Sequence, residues 1–456
     1  MRPLKFLWKF AIAIAAVFVI LQCVRPSIPA RPPTAEIQVP PSIHQILEKD
    51  CSSCHSDQRR LSWFDEIQPG YWLVRKDILT AREHLDFSTL GSKPAAAQKA
   101  ALYEAVNMIQ LGAMPLPRYV ALHSEARVSP EDLAALKAYL SPWAPLPTPP
   151  TATGGSRRPV PSANTPSIRL ENVSPEGNGI AFDPSFESWK SLSFSDRGDN
   201  NTFRFILGND IAVRAAESGH ISPWPDGARF AKIAWQQQTG SNGMVYPGKF
   251  VQVELMIKDS KKYASTDGWG WGRWRGADLK PYGSDARFVN ECTGCHQPVK
   301  GNDYVYTPPI ANARSTLQEA VNNRAAALPV TLPFQPLRWT PITMFVDQRT
   351  HTMSTLYGNE AAVKSLDMRS TSPSSPRYDQ GAVLALVTWV QRDDPHWFGA
   401  RIPNTPASVE FVTVGPGKTS LYRRFEGPNL AEAHPPANLI AQRTSFVIEL
   451  KPASLP

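Results

Sequence analysis

The stretch TFRFILGND at residues 202–210 alternates apolar and polar side chains, a pattern typical of a half-buried β-strand. Similar patterns follow as PWPDGARFAKIAW at 223–235, KFVQVELMIKD at 249–259 and GWGWGRW at 268–274. Because residues that favour turns separate these stretches, they predict a mainly antiparallel β domain over residues 167–312.

Two short cysteine motifs carry the clearest chemical signal in the chain. They read CSSCH at 51–55 and CTGCH at 292–296. In a C-x-x-C-H motif both thiols can bond to a haem, and the histidine is an axial iron ligand. Zinc ligation would need the two pairs closer together, and a disulfide does not require the histidine. The motifs therefore predict two covalently attached c-type haems. The predicted haem-binding residues are Cys51, Cys54, His55, Cys292, Cys295 and His296.

The last third of the chain repeats the β pattern. TFRFILGND aligns with TMSTLYGNE at 352–360, and DGARFAKIAW at 226–235 aligns without a gap with QGAVLALVTW at 380–389. Residues 313–456 contain no cysteine, so they cannot attach a c-type haem. We predict a second tandem β domain there, without haem.

A small helical domain is predicted over residues 34–143. Apolar side chains recur at helical spacing in 42–49 and in 94–111, and Ser129 followed by Pro130 is typical of the start of a third helix. This order of helices around a haem motif is typical of a small cytochrome c. A Pro-rich linker is predicted over 144–166.

Met114 follows the second predicted helix and directly precedes a proline. Its thioether is the predicted sixth ligand of the His55 iron, with His84 and His123 as alternatives. A haem with two protein ligands has no open iron position, so this domain is expected to transfer electrons.

Residues 1–33 have the pattern of an export signal or a single membrane anchor. Lys5 and Lys9 precede the apolar run FAIAIAAVFVILQCV at 10–24. No small-residue cleavage site follows closely, which favours an uncleaved anchor. We therefore predict a protein on the periplasmic side of the bacterial inner membrane, or a periplasmic protein if the segment is cleaved.

The composition excludes several classes of protein. The chain has 456 residues, of which 42% are hydrophobic and 19% are charged, which excludes wholesale disorder. The formal net charge is +8, but five basic residues precede the first acidic residue, Glu36. The rest of the chain is near charge balance, so no nucleic-acid partner is expected.

Residues 167–309 resemble the cytochrome P-460 family. The resemblance rests on ILGND, PWPDGARFAKIAW and CTGCHQPVKGNDYVY. It implies a c-type haem on a β-sheet fold, with histidine on one side of the iron only and a lysine cross-linked to the haem. It also implies oxidation of hydroxylamine or nitric oxide at the open iron face. A sister group, the beta-type cytochromes c-prime, has the fold without the cross-link and binds gases.

The helical domain resembles the small haem-binding domain family. The matching points are Trp63, Pro69 and Trp72, and the run that contains Met114-Pro115, Tyr119 and His123. The predicted fold class is thus a multidomain α plus β protein: an N-terminal anchor, an all-α cytochrome c-like domain and two cytochrome P-460-like β domains.

The haemless copy helps to select candidate site residues. Lys232 aligns with Leu386, which suggests that the side chain at this position points inward. A charged amine is unfavourable in such a place unless a partner or a function requires it. The family resemblance makes Lys232 the candidate cross-linking lysine, with Lys249 and Lys258 as alternatives.

Two further residues are catalytic candidates beside Lys232. Arg204, which aligns with Ser354, is a candidate hydrogen-bond donor in the pocket or a partner of a haem propionate. Glu254 is a candidate base, although its match with Glu410 in the haemless copy also fits a structural role.

The expected function is oxidation of a small-molecule substrate, hydroxylamine or nitric oxide, with electron transfer through the His55 haem to a soluble or membrane redox partner. The alternatives are a gas-binding haem protein and a plain electron carrier. A dihaem peroxidase fits less well, because both of its domains are helical. Members of the resembled family are homodimers, so the two β copies could form the equivalent contact within a monomer.

Overall fold

The computed structural model describes residues 2–30, 32–58, 61–141, 170–310, 322–366 and 378–456. The chain divides into two compact units, residues 1–141 and 142–456. The predicted linker at 144–166 lies outside the described residues.

The first unit is helical. Its helices are α1 (Arg2–Gln22), α2 (Pro41–Asp50), α3 (Ser52–His55), α4 (Gly70–His84), α5 (Phe87–Leu90), α6 (Ala95–Gln110), α7 (Pro117–Val120) and α8 (Pro130–Leu140). Helix α6 ends before Gly112, whose φ of 72° suits glycine. Helix α8 begins at the predicted cap, where the Ser129 hydroxyl accepts a hydrogen bond from Asp132 N at 3.0 Å.

Within the described part of the chain, no helix combines the length and the apolar character needed to cross a membrane. The anchor over residues 1–33 therefore stays a prediction.

The second unit is built around one closed antiparallel sheet. The first copy contributes β1 (Lys190–Arg197), β2 (Thr202–Gly208), α9 (Asp210–Ser218), β3 (Arg229–Thr239), β4 (Val245–Lys258), β5 (Trp269–Arg275), β6 (Lys280–Pro281) and α10 (Val289–His296). The second contributes β7 (Thr340–Asp347), β8 (Thr352–Gly358), α11 (Glu360–Lys364), β9 (Val383–Asp394), β10 (Trp397–Val414), β11 (Ser420–Glu426), β12 (Ala431–Ala433) and α12 (Ala437–Glu449). Four strands of each copy follow in the order β1-β2-β3-β4-β7-β8-β9-β10, and β10 pairs with β1. This last pairing closes an eight-stranded barrel.

The two β copies therefore share one barrel and are not the separate tandem domains that the sequence predicts. A four-stranded copy alone would leave two sheet edges unpaired, and pairing with the other copy removes both edges. The two junctions correspond to each other in the repeat: β4 pairs with β7 at Val245 and Val346, and β10 pairs with β1 at Arg401 and Asp196. The predicted boundary near residue 312 lies outside the described residues.

The register of the strands follows the alignment of the repeat. Lys232 on β3 pairs with Glu254 on β4, and the aligned Leu386 on β9 pairs with Glu410 on β10. The turn that follows the second strand of each copy, β2 or β8, is also built in the same way. Asn209 caps α9 and Asn359 caps α11, each by accepting a hydrogen bond from the backbone N–H three residues later.

The barrel has a shared interior and two different outer faces. The interior contains aromatic side chains of both copies, such as Phe194 and Trp389, whose rings lie 5.1 Å apart. The outer face of the first copy packs against α9 and α10, with Cys292 of the haem motif in this cluster. On the second copy, α12 packs on the corresponding face through Val447.

Candidate haem sites

The first C-x-x-C-H motif forms the short helix α3, with Cys51 directly before it. His55 donates a hydrogen bond from Nδ1 to the carbonyl oxygen of Leu85, at 2.9 Å. A carbonyl only accepts, so Nδ1 carries the proton and the Nε2 lone pair is free for iron. Burial lowers the pKa of His55, which favours this neutral form. Burial also raises the pKa of the Cys51 thiol to about 12.

The three candidates for the sixth ligand of this iron have different surroundings. His123 is buried, and both of its nitrogens are engaged, Nδ1 by Tyr119 O at 3.1 Å and Nε2 by Asp65 at 3.0 Å. It therefore has no free lone pair for iron in this arrangement. His84 is exposed at the end of α4. Met114 is half-buried in the turn after α6, and its role as a ligand stays a prediction.

The second motif forms the end of α10. His296 donates a hydrogen bond from Nδ1 to Tyr304 O at 2.6 Å, the same arrangement as in the first motif. Its ring contacts Trp271, with 4.6 Å between centroids, and Tyr306, at 5.1 Å. Burial lowers the pKa of His296 to about 4, so the imidazole is neutral at physiological pH.

A row of charged side chains crosses three strands on the face that carries α10. Lys232 on β3, Glu254 on β4 and Arg273 on β5 are direct cross-strand neighbours. The ammonium of Lys232 lies 2.5 Å from one carboxylate oxygen of Glu254, and Arg273 Nε lies 3.4 Å from the other. The structure thus brings two of the three catalytic candidates into contact.

The pKa values in this row reflect burial and charge. Burial lowers the pKa of Lys232 to about 8, although the Glu254 charge acts in the opposite direction. For Glu254, burial alone would raise the pKa, but the Lys232 and Arg273 charges outweigh it and lower the pKa to about 2. The same cations contribute to the low pKa of His296. The charged row therefore lies within electrostatic reach of the candidate iron ligand.

Arg204 lies on β2 beside this row. Burial lowers the pKa of its guanidinium to about 10, and the neighbouring Arg197 contributes. Its charge also interacts with Glu254 and with the thiol of Cys295. Arg204 thus lies close to the second haem motif, and its role in haem or ligand binding stays a prediction.

Three donors in the first copy are buried without a hydrogen-bond partner in the part of the chain that the structure describes. Arg204 Nε, Trp224 Nε1 and Trp271 Nε1 are buried and make no hydrogen bond within the described residues. Haem carries two propionates, and buried donors of this kind need an acceptor. Together with two thiols and a neutral imidazole, these donors fit a c-type haem.

The two alternative lysines have different surroundings. Lys258 is buried, forms an ion pair with Asp303 at 2.8 Å and lies over the ring of Trp269. Lys249 is exposed on β4. The charge of Lys232 contributes to the lowered pKa of His296, and its cross-link to the haem stays a prediction.

The equivalent site in the second copy has different chemistry. Leu386 is fully buried, and the Ser354 hydroxyl bonds to Thr388 at 2.8 Å. Glu410 accepts two hydrogen bonds from Arg443 of α12, at 2.8 and 2.6 Å. Helix α12 thus supplies the cation that Lys232 supplies in the first copy.

Sequence reasoning missed three residues of the second site: Arg273, Tyr304 and Tyr306. Arg273 lies opposite Glu254, and Arg424 lies opposite Glu410 in the second copy. Because both copies have an arginine there, comparison of the copies would assign Arg273 a structural role. Tyr304 and Tyr306 lie in the quoted CTGCHQPVKGNDYVY, but nothing in that sequence indicates that they contact His296.

These features define a haem cytochrome: two C-x-x-C-H motifs, each with a neutral, oriented histidine. Comparison with family models agrees. Residues 184–307 match the model of Cytochrome P460, and residues 12–142 match the model of the Haem-binding domain. The chain therefore combines a haem-binding domain with a cytochrome P460 domain, as the sequence predicted. No curated protein matches the chain. A cytochrome P460 assignment for the second β copy stays a prediction.

Proposed function

We propose that the protein is an exported dihaem c-type cytochrome that oxidises a small nitrogen species, hydroxylamine or nitric oxide. The substrate would be oxidised at the haem held by Cys292, Cys295 and His296. The electrons would pass to the haem held by His55 and Met114. The observation that carries this proposal is the half-buried Lys232–Glu254 pair on the face of the barrel that packs against α10.

The residues of the second site have distinct tasks in this proposal. The bound haem supplies an iron that takes electrons from the substrate. His296 offers Nε2 to that iron, and Arg204 offers a buried N–H to a propionate or a bound ligand. The lowered pKa of Lys232 leaves part of its amine unprotonated near neutral pH, which is the form that a cross-link to the haem requires.

A gas-binding protein without turnover is the second candidate. The family resemblance associates oxidation with a lysine cross-link, and a cross-link requires the unprotonated amine of Lys232. The 2.5 Å contact with Glu254 favours the protonated amine instead. An uncross-linked haem with an open iron face would bind nitric oxide reversibly.

The optical spectrum and the intact mass of the purified haem-loaded protein separate these two functions. A cross-linked haem would give a strongly red-shifted Soret band beside an ordinary c-haem spectrum, and Lys232→Leu should abolish that band. Lys249→Leu, on the exposed part of β4, is the matched control and should retain it. Two ordinary c-haem spectra, one of which shifts with nitric oxide, would support the gas-binding function.

Export, membrane attachment and the redox partner belong to the same proposal. The N-terminal sequence at residues 1–33 supports export to the periplasmic side of the inner membrane. Fractionation of cells that express the full chain would test it, because a cytoplasmic, haem-free product would contradict export.

We also propose that the protein is a monomer with an internal pseudo-dimer. The closure of one barrel by four strands of each copy supports it. Sedimentation equilibrium that gives a dimer mass would contradict it.

A further inference from the structure

The haemless copy contacts the segment that holds the candidate iron ligand of the other copy. Residues 303–306 follow the haem motif and carry Tyr304 O, the acceptor for His296 Nδ1. Tyr306 lies two residues further on. Its ring packs edge-on against the His296 ring, and its hydroxyl donates to Cys295 O at 2.5 Å.

The β9–β10 hairpin of the haemless copy also contacts Tyr306. His396, at the tip of this hairpin, donates a hydrogen bond from Nδ1 to Tyr306 O at 2.5 Å. The next residue, Trp397, packs edge-on against the Tyr306 ring, with 5.4 Å between centroids. The haemless copy therefore contacts Tyr306 through both a hydrogen bond and a ring.

The hairpin is itself fixed by buried polar contacts. The backbone N–H of His396 donates to Asp394 at 2.9 Å, and Trp397 Nε1 donates to Asp199 at 3.2 Å. Arg197 pairs with Asp199 and lies over the Trp397 ring at 4.4 Å. A side chain with so many fixed neighbours can hold its partner in one orientation.

The other end of the 303–306 segment is held by the haem copy. Asp303 accepts hydrogen bonds from Lys258 at 2.8 Å and from Trp224 N at 2.8 Å. The segment is thus fixed at both ends, once by each copy. The orientation of a metal-bound histidine and the strength of its second hydrogen bond tune the metal.

We propose that the haemless copy acts as a clamp on the axial ligand of the haem copy, with His396 and Trp397 as positioning residues for His296. The clamp rests on the proposed binding of a haem at His296. It gives the haemless copy a function in the site, because the hydrogen bond to Tyr306 O comes from His396 of that copy.

The iron–histidine stretching band of the photolysed carbon monoxide adduct reports the clamp directly. In the haem-loaded full chain, His396→Ala and Trp397→Leu should shift this band to lower frequency and broaden it. His396→Asn should restore the wild-type band, because its amide can donate from near the Nδ1 position. His434→Ala, at an exposed histidine after β12, is the control and should leave the band unchanged.

A wild-type band in both His396→Ala and Trp397→Leu would overturn the clamp. Redox titration gives a second readout, which does not depend on an open iron face. The reduction potential of the His296 haem should shift in both variants, and the potential of the His55 haem should stay unchanged. Unshifted potentials would also overturn it. Failure of the wild-type protein to bind carbon monoxide would instead contradict the proposed open iron face, and the potentials would still decide on the clamp.

Discussion

Glu410 is the counterpart of Glu254 in the haemless copy. Substitution of Arg443 tests how much the ion pair between Arg443 and Glu410 stabilises the fold. Glu410 is 1% exposed and accepts hydrogen bonds from Arg443 at 2.8 and 2.6 Å and from the Tyr422 hydroxyl at 2.6 Å. Arg443→Met would leave the buried carboxylate with the Tyr422 hydroxyl and the neighbouring Arg424 charge as its partners. Loss of one member of a buried ion pair costs about 3–5 kcal/mol. Because Tyr422 remains, we expect a loss near the low end, about 3 kcal/mol.

Urea unfolding of the full chain, followed by tryptophan fluorescence, would measure this loss. Glu410→Gln removes the charge but keeps a group that can bond to Tyr422, so it should cost less, about 1–2 kcal/mol. The double variant Glu410→Gln/Arg443→Met should be more stable than the sum of the single losses predicts, because the two residues are coupled. A loss below about 1 kcal/mol for Arg443→Met, or strict additivity, would refute the reasoning.

Three further predictions concern other parts of the chain. Burial raises the pKa of Asp196 to about 6 from its ordinary 3.8, so the folded state binds this proton more tightly than the unfolded state. The free energy of unfolding should therefore fall by on the order of 3 kcal/mol as pH rises through this range, and Asp196→Asn should remove that dependence in denaturant titrations at pH 4 to 7. Met114→Ala should allow the His55 haem to bind carbon monoxide, seen as a second shifted Soret band, and an unchanged spectrum would argue against Met114 as ligand. Ser129→Ala should lower the unfolding free energy by about 1 kcal/mol through loss of the α8 cap, whereas Ser129→Asp should retain stability.

Much of the local structure could be predicted from the sequence. The strands at 202–208 and 229–239 follow the alternating patterns, and the helices at 95–110 and 130–140 follow the apolar spacing and the caps. These signals are local, because a strand or a helix is set largely by the residues within it. Helix α4 was not predicted, since only Tyr71 and Ile78 of its residues are buried.

The candidate site was predicted in part. The haem motifs could be read directly, because their chemistry depends on residues adjacent in sequence. The alignment of the copies singled out Lys232, and the structure places it against Glu254 on the face that carries α10. Tyr306 and His396 could not be found in this way. They are 90 residues apart in sequence and meet only because the barrel closes.

The sequence by itself thus determined the two haem motifs, the helical and β parts of the chain and the repeat, since each is encoded in short-range spacing. Only the tertiary structure decided that the two copies share one barrel, because strand pairing between distant segments depends on which sheet edges are left open. It also decided that α12 occupies, in the haemless copy, the face that α10 occupies in the other. That contact depends on packing between residues far apart in the chain, such as Arg443 and Glu410, which no local pattern records.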